Sequence, residues 1–186
     1  MSNLTNRILE QSFDPVTHSL SVTDQVHRMN HLGMMFHASG KVTGMVDTNV
    51  DEFMFITGAK AVHFQRLHFD FGRGDIDILS YEDTLVSGNG SDLTSLIFNQ
   101  NRESTTTPLL AMYGAPTVTD VGTLLHTSWI PPTGTGTGQS ADGISGGGNG
   151  EEWLLKPNSK YLIRITNNSG ATIDYRWEIV FYEPDF

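Results

Sequence analysis

Thr172-Ile173-Asp174-Tyr175-Arg176-Trp177-Glu178-Ile179-Val180-Phe181-Tyr182 is the stretch that decides the fold class. Ile173, Tyr175, Trp177, Ile179 and Phe181 alternate with Asp174, Arg176, Glu178, Val180 and Tyr182. Successive side chains of a strand point to opposite faces, so this run sends one face to a core and leaves the other largely polar.

Working outward, Trp153–Leu155 and Lys160–Thr166 read as further strands, with turns at Pro157-Asn158 and Asn167-Asn168-Ser169-Gly170, and the C-terminal strands are expected to form a meander. Phe53–Thr57 is a continuous apolar run bounded by Asp51-Glu52 and Gly58. In Ala61–Phe71 the apolar face switches partway, from Val62 and Phe64 to Leu67, Phe69 and Phe71, which predicts a bulge or bend in one long strand. Gly72-Arg73-Gly74-Asp75 then leads into Ile76–Tyr81, and the two strands are expected to form a hairpin. Met34–His37, Leu109–Tyr113 and Thr123–Ile130 complete the strands, and the one helical candidate is Asp24–Leu32. Roughly eight to ten short strands with loop-rich connections predict an all-β fold, an antiparallel β-sandwich of the jelly-roll type.

Two segments stand apart. Residues 1–22 contain Asp14-Pro15 and few large apolar side chains, and are expected to form an extended N-terminal arm to a single domain over residues 23–186. Residues 133–150 are rich in Gly, Thr, Ser and Asn with Ile144 the one aliphatic larger than Ala, a composition expected of a flexible loop.

The chain has 186 residues, enough for one well-buried core. Its 11 Lys and Arg against 21 Asp and Glu leave a net charge of −10. Binding to nucleic acid or an anionic membrane needs a basic surface, so neither is an expected partner. With no cysteine, disulfides, thiolate zinc sites and Cys nucleophiles are excluded. No apolar run approaches the roughly 18 residues of a membrane span. Met1-Ser2-Asn3-Leu4-Thr5-Asn6-Arg7 has no signal-peptide pattern, so synthesis in the cytoplasm is expected.

His68-Phe69-Asp70 followed by His126 is the sharpest catalytic lead. Positions 68 and 70 of a strand share a face, and a His from a later strand would complete a 2-His-1-carboxylate set for Fe(II). The pattern resembles that of 2-oxoglutarate oxygenases, which are also jelly rolls. Those enzymes hold the oxoglutarate carboxylate with a basic residue soon after the second His, and here none follows His126 until Lys156. The expectation is therefore neighbouring polar residues without metal, and no cofactor. His27 and His31 would adjoin on a helix, with His37, Met29, Met34 and Met35 nearby, but no third ligand sits at a fixed spacing. Glu82, Asp83 and Asp92 are the acidic loop residues that could meet a Ca²⁺ ion. Gly88-Asn89-Gly90-Ser91-Asp92 is not a nucleophile elbow, and Gly134-Thr135-Gly136-Thr137-Gly138 lacks the strand and helix a phosphate loop needs. Trp129, Trp153 and Trp177 are read as packing residues, with Trp129, beside Pro131-Pro132, the most exposed and the candidate for stacking on a sugar.

Glu152-Trp153-Leu154-Leu155-Lys156-Pro157-Asn158-Ser159-Lys160-Tyr161-Leu162-Ile163-Arg164-Ile165-Thr166-Asn167, with the strand that follows, resembles tailed-bacteriophage virion proteins, and most closely the jelly-roll capsid decoration or cement proteins. The opening Asp14-Pro15-Val16-Thr17-His18-Ser19-Leu20-Ser21-Val22 resembles an N-terminal segment of phage structural proteins. The resemblance implies a non-catalytic homotrimer on the outer capsid surface of the virion, with the major capsid protein as partner. Leu4, Ile8, Leu9, Phe13 and Leu20 of the arm are then the candidates for the capsid interface. A trimeric receptor- or carbohydrate-binding module of a tail or fibre is the alternative, and an Fe(II) oxygenase using His68, Asp70 and His126 is third.

Overall fold

The structure, a computed structural model, describes residues 25–72, 74–132, 139–142 and 152–184. One short helix, α1 (Gln25–His31), precedes fourteen strands: β1 (Met35–Met45), β2 (Val50–Ile56), β3 (Val62–Phe71), β4 (Ile76–Glu82), β5 (Leu85–Gly88), β6 (Ser91–Asp92), β7 (Phe98–Asn99), β8 (Ala111–Gly114), β9 (Thr117–Asp120), β10 (Thr123–Ile130), β11 (Gln139–Asp142), β12 (Trp153–Leu155), β13 (Lys160–Asn167) and β14 (Ile173–Tyr182). Sheet I has the order β11–β3–β14–β1–β7, with β12 also on β3, and sheet II the order β10–β4–β13–β2–β8–β6. All the pairings are antiparallel. The fold is an all-β antiparallel sandwich.

The alternation read in β14 is what joins the sheets. Ile173, Tyr175, Trp177, Ile179 and Phe181 are buried, and they meet Phe53, Phe55, Ile163 and Ile165 of sheet II in one core. Aromatic rings bridge the layers: Phe53 lies 5.5 Å from Trp177, and Phe55 lies 5.4 Å edge-on to Phe64. Each such side chain contributes roughly 1.5–3 kcal/mol by leaving water. Beneath the Trp177 indole, β1 carries Gly40, where a Cβ would stand 2.5 Å from the ring.

The switch of face in β3 is a bulge. Val180 pairs with Arg66 and Phe181 with Phe64, leaving Gln65 as the extra residue. The expected β3–β4 hairpin and the C-terminal meander are not formed. β3 is flanked by β14 on one side and by β11 and β12 on the other, so β4 finds its partners in the opposite sheet. In the same way β13 sits between β4 and β2 while β14 sits between β1 and β3. A crossing between sheets needs the same tight turn as a hairpin, and sequence shows only the turn. Gln139–Asp142, within the span expected to be loop, pair with β3 as β11, because ladder hydrogen bonds need no apolar side chain.

Phe53-Met54-Phe55 and Tyr161-Leu162-Ile163 are buried on both faces. The paired strands β5 and β9 lie over part of the outer face of sheet II, where Val86, Val118 and Val121 pack on Met54, Tyr81 and Leu162. This second, smaller core explains the continuous apolar run at Phe53–Thr57.

Beyond β14, the buried carboxylate of Glu183 accepts the N–H groups of Leu109 (2.8 Å) and Leu110 (2.7 Å). Burial raises its pKa, against those two bonds and the charge of Lys60. Glu183→Ala strands both donors and is expected to cost about 2–4 kcal/mol in denaturant unfolding, with Glu183→Gln costing distinctly less. Equal losses in the two variants would show that the carboxyl oxygens are not what holds this strand entry.

Candidate functional site

The outward face of sheet I carries a charge-laddered groove of about 570 Å³. β1 supplies His37, Ser39 and Lys41, β14 supplies Asp174, Arg176 and Glu178, and β3 supplies Asp70. Strand register sets the pairs: Arg176 stands between Lys41 and Asp70, and Glu178 between Ser39 and His68. Arg176 binds Asp70, Lys41 reaches Asp174 at 3.0 Å, and Glu178 receives His37 at 3.4 Å and Arg66 at 3.9 Å. Burial pushes the Asp70 carboxyl up, but bonds from Arg176 and His68 outweigh it and hold it below the usual range. Lys41, with the N–H of Gly44, does the same for Asp174. Opposite charges are neutralised within the face, so the groove presents polar, mostly satisfied groups.

His68 and Asp70 share a face as expected, with Nε2 3.0 Å from Oδ1. Arg176 takes the second carboxylate oxygen. His126 does not join them: it lies on β10 in sheet II, its ring edge-on to Trp153 at 6.1 Å. Among the described residues no three His, Asp or Glu side chains are grouped to hold a metal ion. The 2-His-1-carboxylate set of the oxygenase reading is therefore not assembled.

His27 and His31 do adjoin on α1, with ring centroids 4.5 Å apart, while His37 turns to Phe98 at 4.9 Å. The acidic loop residues go separate ways. Asp92 accepts the N–H of Thr94 at 2.8 Å, and Asp83 sits in a left-handed turn at φ 61°. Glu82 binds Lys156 and the Tyr161 hydroxyl at 2.8 Å. Lys156 is the largest cause of a lowered Glu82 pKa, with burial opposing and Tyr161 assisting. A depressed folded pKa gives stability that is present above the ordinary value of 4.5 and lost as pH falls through the folded one. Glu82→Gln should flatten this part of the acid limb in Tm against pH below 4.5, and an unchanged limb would remove Glu82 from it.

One cluster has no warning in the sequence. Glu152 accepts His63 Nδ1 at 3.0 Å, Gln65 Nε2 and the Tyr182 hydroxyl at 2.8 Å, and His63 stacks on Tyr182 at 4.4 Å. His63 and Gln65 reach one carboxylate because residues two apart on a strand share a face, and Glu152 lies far away in the chain.

The three tryptophans divide clearly. Trp177 is buried, Trp153 is half-buried, and Trp129 is 55% exposed on the outer face of β10. The arm candidates Leu4, Ile8, Leu9, Phe13 and Leu20 lie outside the described residues.

No protein-family model and no curated protein matches the chain.

The residues of the run Glu152–Asn167 are occupied in holding strands together. Asn158, at φ 52°, donates its N–H to Gly58 (2.8 Å), and Ser159 donates to the Thr57 hydroxyl (2.8 Å). Lys156 donates its N–H to the Tyr161 hydroxyl (2.9 Å). Asn167 is fully buried, and its amide bonds Met45 O (3.0 Å), Ala171 O (2.8 Å) and the N–H of Ser169 (3.0 Å).

Proposed function

We propose that the protein is a virion structural protein, a decoration protein of the outer surface of a bacteriophage capsid that acts through contact area and without catalysis. The observation that carries this reading is the strand order. β1, β2, β3 and β4 alternate between the two sheets, β10 pairs with β4 inside sheet II, and β12, β13 and β14 alternate again, which supports the jelly roll that the resemblance implies. The run Glu152–Asn167 supports it too, since its Asn158, Tyr161 and Asn167 serve the fold, and a family without catalytic residues is alike through its architecture. A rigid sandwich whose sheet I face is internally neutralised offers area for contact with the major capsid protein and with two further copies of itself.

The test is co-sedimentation of the full chain with undecorated capsids, followed by a reconstruction of the particle. Saturable binding in multiples of three copies is expected on the outer surface. A chain that stays in the supernatant at micromolar concentration refutes the reading.

A further inference from the structure

We propose that the outer face of sheet II carries a binding platform for neutral carbohydrate, with Trp129 as its stacking surface. Register places Trp129 beside Asp77 on β4, Asp77 beside Thr166 on β13, and Thr166 beside Val50 on β2. This row is at the end of the sheet that β5 and β9 leave open. Trp129 and Val50 are 55% and 47% exposed, whereas Met54 and Leu162 further along the same face are fully covered.

The indole is held rather than loose. Its Nε1 donates to Asp75 Oδ1 at 3.2 Å, and Asp75 is itself fixed in a left-handed turn at φ 67°. Asn168 donates from its side chain to Asp77 Oδ2 at 2.9 Å and from its backbone to Asp75 O at 2.9 Å. The surroundings of the ring are therefore organised before any ligand arrives, which spares the ordering cost of binding. Each of the two carboxylates keeps one oxygen outside these bonds, with the Asn168 amide beside Asp77 and Thr166 next to it in register.

A flat apolar ring face bordered by planar acceptors and an amide is what a pyranose requires. Its C–H face covers the indole, and its hydroxyls donate to the carboxylates and accept from the amide. Charge narrows the class. Arg164, on the next outward row of the described sheet, is held by Glu52 at 2.6 Å and lies over the Tyr81 ring. Two carboxylates with no cation left free beside them among the described residues repel phosphorylated, sulfated or carboxylated ligands. An organic cation would be drawn to the same charges, but it favours a cage of several rings, and this is one indole on an open sheet.

Electrophoresis of the full chain through gels cast with dextran, xylan, mixed-linkage β-glucan or galactomannan tests the platform, with tryptophan fluorescence in choline chloride as the cation control. At least one neutral polymer should slow the chain. Trp129→Ala, at an exposed position, should weaken that effect by roughly tenfold or more. Trp129→Phe should retain most of it, Asp77→Ala should weaken it, and choline should leave the fluorescence unchanged. Migration unaffected by all four polymers overturns the proposal. So does retardation that persists in Trp129→Ala, or choline quenching that this variant abolishes. Capsid co-sedimentation does not enter these outcomes, so the platform and the decoration role fail or stand separately.

Discussion

A chain beginning at Thr23 is expected to fold as a trimer and to bind undecorated capsids at least tenfold more weakly than the full chain. The core cluster of the described residues runs through both sheets between Phe36 and Phe181, which is the ground for expecting the shortened chain to fold. Leu4, Ile8, Leu9, Phe13 and Leu20 are the large apolar side chains such an arm can offer a shell. Burying each contributes roughly 1.5–3 kcal/mol. Ordering about twenty residues opposes this at roughly 1 kcal/mol or more apiece. On the proposed reading the arm is expected to order, and to contribute binding energy, only where a shell also supplies backbone hydrogen bonds. Light scattering and co-sedimentation of the truncated chain read the two halves of the claim. Capsid affinity equal to that of the full chain would remove the arm from the interface, and a folded monomer would remove the trimer.

The second large effect is expected at Gly40. An added Cβ would stand 2.5, 2.7 and 2.9 Å from Cζ2, Cε2 and Nε1 of Trp177. The indole is 4% exposed and backed by Phe53, so it has nowhere to retreat. Gly40→Ala should cost about 2–3 kcal/mol, or roughly 4–10 °C in Tm. Trp177→Phe carries a cavity cost of its own but clears the space above Gly40. In that background Gly40→Ala should cost less than half as much, a coupling measured by a double-mutant cycle. Strict additivity would show that the indole is not the obstacle.

Period-two alternation made the strands legible, and its interruption in β3 made the bulge at Gln65 legible. The helix over Gln25–His31 was legible from its apolar spacing, within a residue of its ends. Partners were not. Whether Gly72–Asp75 closes a hairpin or carries the chain to the other sheet depends on which edges of β3 are occupied, and those occupants arrive later in the chain. The same blindness separated His126 from His68 and Asp70, since spacing fixes which face a residue takes within a strand and not which sheet holds the strand. It also hid Arg176 as the partner of Asp70 and Glu152 as the partner of His63. Trp129 is exposed because β10 is an edge strand with the Asp75 turn beside it.

The pairing of β1 with β14 has a mechanical consequence. Met35 opens one strand opposite Tyr182, which closes the other, and Glu183 donates its N–H to Met34 O at 3.2 Å. The chain thus enters and leaves the sandwich at one end. Tension between entry and exit loads these hydrogen bonds one pair at a time and peels the two strands open. Tension that enters near Met35 and is resisted across the broad faces is instead shared by many pairs at once. The domain is stronger under the second loading, so in the proposed capsid role an anchorage through the entry end and the faces suits it better than one that tugs on both ends.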